Sequence, residues 1–294
     1  MGVVKTTVCK TCEVVGNLPV IGGIFKPKPK VAILRFSGVI ADAGMKRGGI
    51  SYHKYRSFID EAFDVFDLKA VALVINSPGG SPAQSQLIGD HIRRLAEEKE
   101  VPVYAFIEDV AASGGYWLAC AADEIYGVSS SISGSIGVIS AGFGFSELIA
   151  KHGVERRIHT AGKDKSFYDP FVEEKPADVK RLKALQTNMH DIFKDWVRER
   201  RGERLTGADK DVFEGQFWTS STAIELGVID GLGEVRSFAK DKFGESIKFT
   251  EIGPEKKLMP SLFGFDAKNT LQGSMAEDIV ETIETKTAWG RFGI

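Results

Sequence analysis

Cysteine is scarce: the 294 residues hold three, Cys9, Cys12 and Cys120. Three thiols cannot build a disulfide framework, so the fold does not depend on an oxidising compartment. Cys9 and Cys12 form a single C-x-x-C with no second pair and no histidine nearby, which reads as two incidental cysteines before it reads as a zinc or redox motif. Charge of one sign is not in excess either. Against 40 acidic residues stand 38 basic ones, a formal net charge of −2, and without a basic block this argues against a dedicated nucleic-acid binder. Long apolar runs are missing too, since no segment reaches the roughly 20 apolar residues of a spanning helix. The best candidate, Val14–Phe25, is broken by Asn17, Pro19 and two glycines. It has no small-residue cleavage site and runs into Lys26-Pro27-Lys28-Pro29-Lys30, so neither a signal peptide nor a membrane anchor is expected. The stretch could touch a membrane interface beside those lysines, but a flexible, partly buried tail over residues 1–30 is the favoured expectation. A cytoplasmic protein with at most peripheral membrane contact follows. The five histidines, His53, His91, His152, His159 and His190, are scattered with no ligand pair, so no metal or cofactor is expected.

From Val31 the pattern becomes regular. Val31–Phe36, Ala70–Ile75 and Val101–Ile107 are short apolar runs that read as buried strands, the last bounded by the acidic pair Glu108-Asp109. Between them, Tyr52–Phe66 and Pro82–Glu98 carry apolar residues at helical spacing, the second with proline at its start. Strands apolar throughout, alternating with helices, predict an α/β protein whose parallel sheet is covered by helices. Further on, Glu155–Ile158 reads as a strand and Ala177–Arg201 as a long helix. That helix has Val179, Leu182, Leu185, Met189, Ile192, Phe193 and Val197 in one stripe, expected to serve core or subunit contact rather than substrate binding. Phe217–Asp230 predicts strand, helix over Ser220–Leu226 and a short strand. Residues 31–252 form the expected domain, with 253–294 a linker and a C-terminal amphipathic extension around Met275–Trp289.

Four small-residue stretches punctuate this alternation. Ala111-Ala112-Ser113-Gly114-Gly115 lies where a strand turns into a helix over Tyr116–Ala122, a place that another backbone can approach closely and where free helix N–H groups would stabilise developing negative charge. The plain alternative is that Ser113 caps the helix. Asn76-Ser77-Pro78-Gly79-Gly80-Ser81 makes a tight turn with unobstructed N–H groups, suited to an oxyanion hole or simply to a Pro-Gly turn. Ser129–Val138 reads SSSISGSIGV, and Thr160–Ser166 contributes Lys163 and Lys165 in a loop. A lysine amine ordinarily titrates near ~10.4. Acting as a base at neutral pH requires desolvation costing roughly 4 kcal/mol, which the nearby Phe167, Tyr168 and Phe171 could supply.

Together these motifs resemble the SppA/SohB signal peptide peptidase family, serine peptidases with a Ser–Lys dyad on the Clp/crotonase fold of repeated β-β-α units. The resemblance runs from about Val31 to Thr250 and rests on NSPGGS at 76–81, AASGGYW at 111–117, SGSIGV at 133–138, AGKDKS at 161–166 and the closing segment Phe217–Glu234. It implies Ser113 as nucleophile and Lys165, rather than Lys163, as general base. It also implies that Ser135 orients the lysine and that the Gly80 and Gly114 amides form the oxyanion hole. An ATP-independent serine endopeptidase acting on extended peptides with small or apolar side chains, such as signal-peptide remnants, is the expected activity. Assembly into a homo-oligomeric ring, tetramer or octamer, is implied as well. Two other readings stay open: a crotonase-type acyl-CoA enzyme, which needs a Glu or Asp in the pocket, and an inactive scaffold. A Ser-His-Asp triad is disfavoured because no histidine follows the serine around 130–140.

Overall fold

The computed structural model describes residues 28–42, 49–162, 164–254 and 286–293. The strands predicted at Val31–Phe36, Ala70–Ile75 and Val101–Ile107 lie side by side in one sheet. β1 (Lys30–Ser37), β2 (Leu68–Ser77) and β3 (Val103–Ala112) are parallel neighbours, and β8 (Lys248–Ile252) pairs parallel with β1 on the far side. Every residue of such a strand is flanked by others on both faces, which is why these runs are apolar without alternation. β3 is shared. Its first half pairs with β4 (Glu124–Gly127) and its last three residues with β5 (Ile132–Gly134). β6 (Phe217–Thr219) adds antiparallel to β5, and the two-residue β7 (Gly231–Leu232) pairs with β4.

One face of the sheet (Ala32, Leu34 and Phe36; Leu73 and Ile75; Ala105 and Ile107) packs under α1 (Tyr52–Phe63), α2 (Pro82–Lys99), α3 (Gly114–Ala119) and the C-terminal half of α5 (Pro176–Arg201). Val31, Ile33, Ala72, Val74, Tyr104 and Phe106 on the other face meet α8 (Val235–Phe243) through Phe238, Ala239 and Phe243. Short helices α4 (Ser146–Lys151), α6 (Asp209–Val212) and α7 (Ser220–Glu225) complete the described elements. The parallel sheet covered by helices is therefore as read from the sequence, and outside it Ile40 makes isolated bridges to Ile50 and to Gly80.

Several local readings need correction. β3 does not stop at the acidic pair but runs on to Ala112, because Val110 and Ala112 bury beneath further apolar side chains. The helix after Ser113 begins at Gly114 and ends at Ala119 rather than spanning Tyr116–Ala122. Glu155–Ile158 is not a strand. All four residues are exposed and none pairs with a strand among the described residues, and with three charged side chains in a row the run has no apolar face to bury. Along α5 only Phe193, Val197 and Arg201 are buried, so the predicted stripe is half unpacked. The C-x-x-C, the Val14–Phe25 stretch, Lys163 and most of the linker and extension lie outside the described residues.

Candidate active site

The turn after β2 is built by close approach. Ile40 donates its N–H to the Gly79 carbonyl at 2.8 Å and accepts from Ser81 N–H at 2.7 Å. A Cβ on Gly80 would stand 2.1 Å from the Ile40 carbonyl oxygen, and one on Gly79 would stand 2.8 Å from Ser113 Cβ and 2.9 Å from Gly114 N. Only glycine at both positions lets this turn lie against the end of β3, and both have positive φ (103° and 144°).

Ser113 follows the last residue of β3. Its φ of 52° with ψ of −121° is a conformation that side chains resist, and its N–H is tied to the Gly134 carbonyl at 2.8 Å. Although it occupies the N-cap position of α3, its hydroxyl makes no capping bond. The plain capping role does not operate here. Gly114 N–H and Gly80 N–H have no acceptor among the described residues, and a Cβ on Gly114 would stand 3.3 Å from Gly80 N, so the two amides are close neighbours beside Ser113. Two unpaired backbone donors next to a strained hydroxyl-bearing residue leave N–H groups free to donate to a negatively charged oxygen.

A cavity of about 20 Å³ opens at this point, lined by Gly80, Pro82, Ser113, Gly114, Trp117, Gly137, Val138, Met189 and Phe193. Trp117 stacks on Phe193 with centroids 4.8 Å apart, and Trp196 Nε1 donates to the Trp117 carbonyl at 3.1 Å, so α5 forms the outer wall. Met189 and Phe193 of the expected core stripe thus also line the cavity beside Ser113. Helical periodicity places them on one face but cannot say that the face turns toward Ser113. No carboxylate lines the cavity, which counts against crotonase-type acid–base chemistry at this point. His190, one residue from Met189, faces the Ile136 carbonyl at 3.2 Å, a geometry that needs its ring nitrogen protonated and anchors α5 to the SGSIGV stretch.

Ser135, within that stretch, is buried, has φ of 53°, and donates its N–H to the Gln216 carbonyl at 2.5 Å. Lys165 is placed differently. It is exposed in a turn in which its own N–H reaches the Gly162 carbonyl at 3.2 Å, and its amine bonds to none of the described residues. The aromatic screen expected around it is taken up elsewhere: Arg181, not the lysine, lies over the Phe167 ring at 5.7 Å. Within one chain, Gly80, Ser113 and Gly114 come together and Lys165 does not join them by any contact. A larger cavity of about 580 Å³ lies between loops 140–146 and 168–178 but shares no lining residue with the one at Ser113.

Cys120, the cysteine that is described, is fully buried, and burial pushes its thiol up to about 11, which removes it as a competing nucleophile. Among the described residues no cluster of His, Cys, Asp or Glu could hold a metal ion. None of the described helices is long and apolar enough to cross a membrane.

These features define an α/β protein of the Clp/crotonase type with a serine at the end of a central parallel strand. The chain belongs to peptidase family S49, whose family profile matches residues 95–243. It is 30% identical over 229 residues to "Putative protease slr0021" of Synechocystis, covering 76% of this chain and 80% of that protein. It is 28% identical to "Putative signal peptide peptidase SppA" of Enterococcus faecium, over 69% of this chain and 60% of that one. A Brucella abortus protein named "Na(+)/H(+) antiporter NhaA" is 44% identical over 90% of this chain, and the chain spans 37% of that relative's length. Among solved structures, a membrane-bound stomatin-specific protease superposes with a TM-score of 0.49 at 14% identity, covering 78% of this chain and 100% of that chain.

Proposed function

We propose that this chain is an ATP-independent serine endopeptidase in which Ser113 attacks the peptide carbonyl. The observation that carries this is the geometry at the end of β3: an uncapped serine hydroxyl held at positive φ beside the unpaired N–H groups of Gly80 and Gly114, at the mouth of a cavity. The two N–H groups would bind the oxyanion, each donor worth about 3 kcal/mol. The base would be Lys165, oriented by Ser135. It takes the Ser113 proton, passes it to the leaving amine, and then takes a proton from the water that hydrolyses the acyl-enzyme.

Lys165 can do so only once its amine is dry. Its loop and the adjoining surface expose Phe143, Val154, Phe171, Leu185 and Ile192, apolar area that a second copy of the chain would cover. A homo-oligomeric ring, tetramer or octamer, would bury this surface and desolvate the lysine, and the site is complete only in that assembly. The small cavity favours substrates with a small side chain next to the scissile bond, in extended peptides such as signal-peptide remnants. The Enterococcus faecium relative named "Putative signal peptide peptidase SppA" supports that substrate class. The protein would work in the cytoplasm, with peripheral membrane contact through residues 14–30.

Labelling by a fluorophosphonate probe and hydrolysis of an unfolded protein test the assignment together. The assembled wild type labels and cleaves after small residues, Ser113→Ala abolishes both, and Lys165→Ala lowers both by a factor of 100 or more, about 2.7 kcal/mol. Labelling that persists in Ser113→Ala moves the nucleophile elsewhere, and an unchanged rate in Lys165→Ala removes the lysine from the mechanism.

A further inference from the structure

The chain's last described residues return to the sheet directly behind Ser113. Residues 286–290 are helical and 291–293 turn back, which places Phe292 at 8% exposure against Val110 and Ala112 of β3, with Ile132 of β5 and Trp289 at the margin. The Phe292 ring meets Phe217 of β6 edge-on, centroids 5.0 Å apart. Val110 and Ala112 lie on the face of β3 that α8 covers only further down, at Tyr104 and Phe106. Without this segment that apolar patch would face water.

The same three strands carry the backbone bonds of the site: Ser113 N–H to the Gly134 carbonyl between β3 and β5, and Ser135 N–H to the Gln216 carbonyl next to β6. β5 and β6 have only three residues each. Strands that short hold their pairing through what packs on them rather than through their own ladder. The segment itself is too short to be helical alone and is separated from β8 by residues 253–285. Its docking is therefore an intramolecular binding event with two aromatic anchors, favoured by the tether and reversible.

We propose that this face of β3, β5 and β6 is a docking groove for the chain's own C-terminal aromatic segment, and that its occupancy holds Ser113 in reactive geometry. The inference rests on the assignment of Ser113 made above. Phe292 and Trp289 are positioning residues here, acting through the strand and not on the substrate.

The test uses the 294-residue chain carrying Phe292→Ala and a synthetic peptide of residues 286–294. The variant should keep its circular dichroism and assembly size, lose at least fivefold in kcat with KM changed by less than about twofold, and regain kcat as the peptide is added at high micromolar to millimolar concentration. A peptide carrying the same Phe292→Ala change should restore nothing. A labelled peptide should also bind the variant by fluorescence anisotropy, a readout independent of catalysis. A variant with wild-type kcat, a peptide that does not bind, or one that binds without restoring the rate overturns the proposal. A wild-type chain that neither cleaves nor labels would instead refute the role of Ser113 and the coupling with it, and the anisotropy would still decide whether the groove takes this segment.

Discussion

Ser113 keeps φ at 52°, where the Cβ of an L-residue crowds its own backbone at a cost of about 1–2 kcal/mol. The cost is met by what surrounds it: Gly79 against its Cβ, the Gly134 carbonyl on its N–H, and α3 starting immediately after it. A local conflict of this kind, held by well-packed neighbours, is typical of a functional position. It also gives a measurable consequence. Ser113→Gly should be inactive yet about 1 kcal/mol more stable to denaturant than Ser113→Ala, because glycine alone removes the crowding. Equal stabilities for the two variants would mean that the serine backbone is not strained. The glycines of the 79–80 turn were legible in sequence as a turn. Their other reason, contact with Ile40 and Ser113, involves residues about 40 positions before and 33 positions after them and could not be read locally.

At the scale of elements, the site helix α3 is tied down by a buried polar network. Tyr116 of α3 donates its hydroxyl to the Val228 carbonyl at 2.7 Å. Next to it, Arg201 at the end of α5 is 2% exposed, holds the Asp230 carboxylate through two bonds of 2.7 and 3.0 Å, and donates to the Gly227 carbonyl at 2.9 Å. Asp230 also accepts from Ile125 N–H at 2.7 Å. Burial raises the Asp230 carboxyl, but the bonds and charge of Arg201, with the Ile125 N–H and the charge of Arg204, together outweigh it and hold the group below the usual carboxylate range. A carboxyl depressed in the folded state contributes stability that is present above its unfolded value and lost as pH falls through the lower folded value. Asp230→Asn leaves Arg201 buried without its counter-charge, so it should cost about 3–5 kcal/mol at neutral pH. It should also flatten the acid limb of a plot of stability against pH. A variant as stable as wild type, with the same acid limb, would show that the pair does not anchor α5. The sequence showed α5 as a long amphipathic helix; that its last turn carries the ion pair depends on where residues 227–230 return, which no periodicity encodes.

For the whole molecule, the decisive fact is how much apolar surface one chain leaves uncovered. Phe143 is 81% exposed, and Leu148, Val154, Leu185 and Ile192 are each about half exposed or more. Large apolar side chains left this exposed are the kind that a partner surface covers. Replacing Phe143 by Asp together with Leu185 by Glu should place unpaired charge in the proposed subunit contact. Light scattering should then show a smaller species, with unchanged circular dichroism and loss of peptide hydrolysis. A double variant that keeps both its size and its rate would mean that the lysine is dried by something other than a second copy.

The first three strands with the helices between them, the parallel sheet and the membership in a peptidase family were determined by sequence alone, because apolar runs, glycine turns and the motifs around Ser113 act over a few residues at a time. The three-dimensional packing decided that Ser113 does not cap its helix, that Met189 and Phe193 wall the cavity, that Glu155–Ile158 stays unpaired and that Phe292 backs the serine strand. Each of these depends on groups far apart in the chain being brought to one place, and the free energy of such contacts is set by what becomes buried against what, which local residue patterns do not specify.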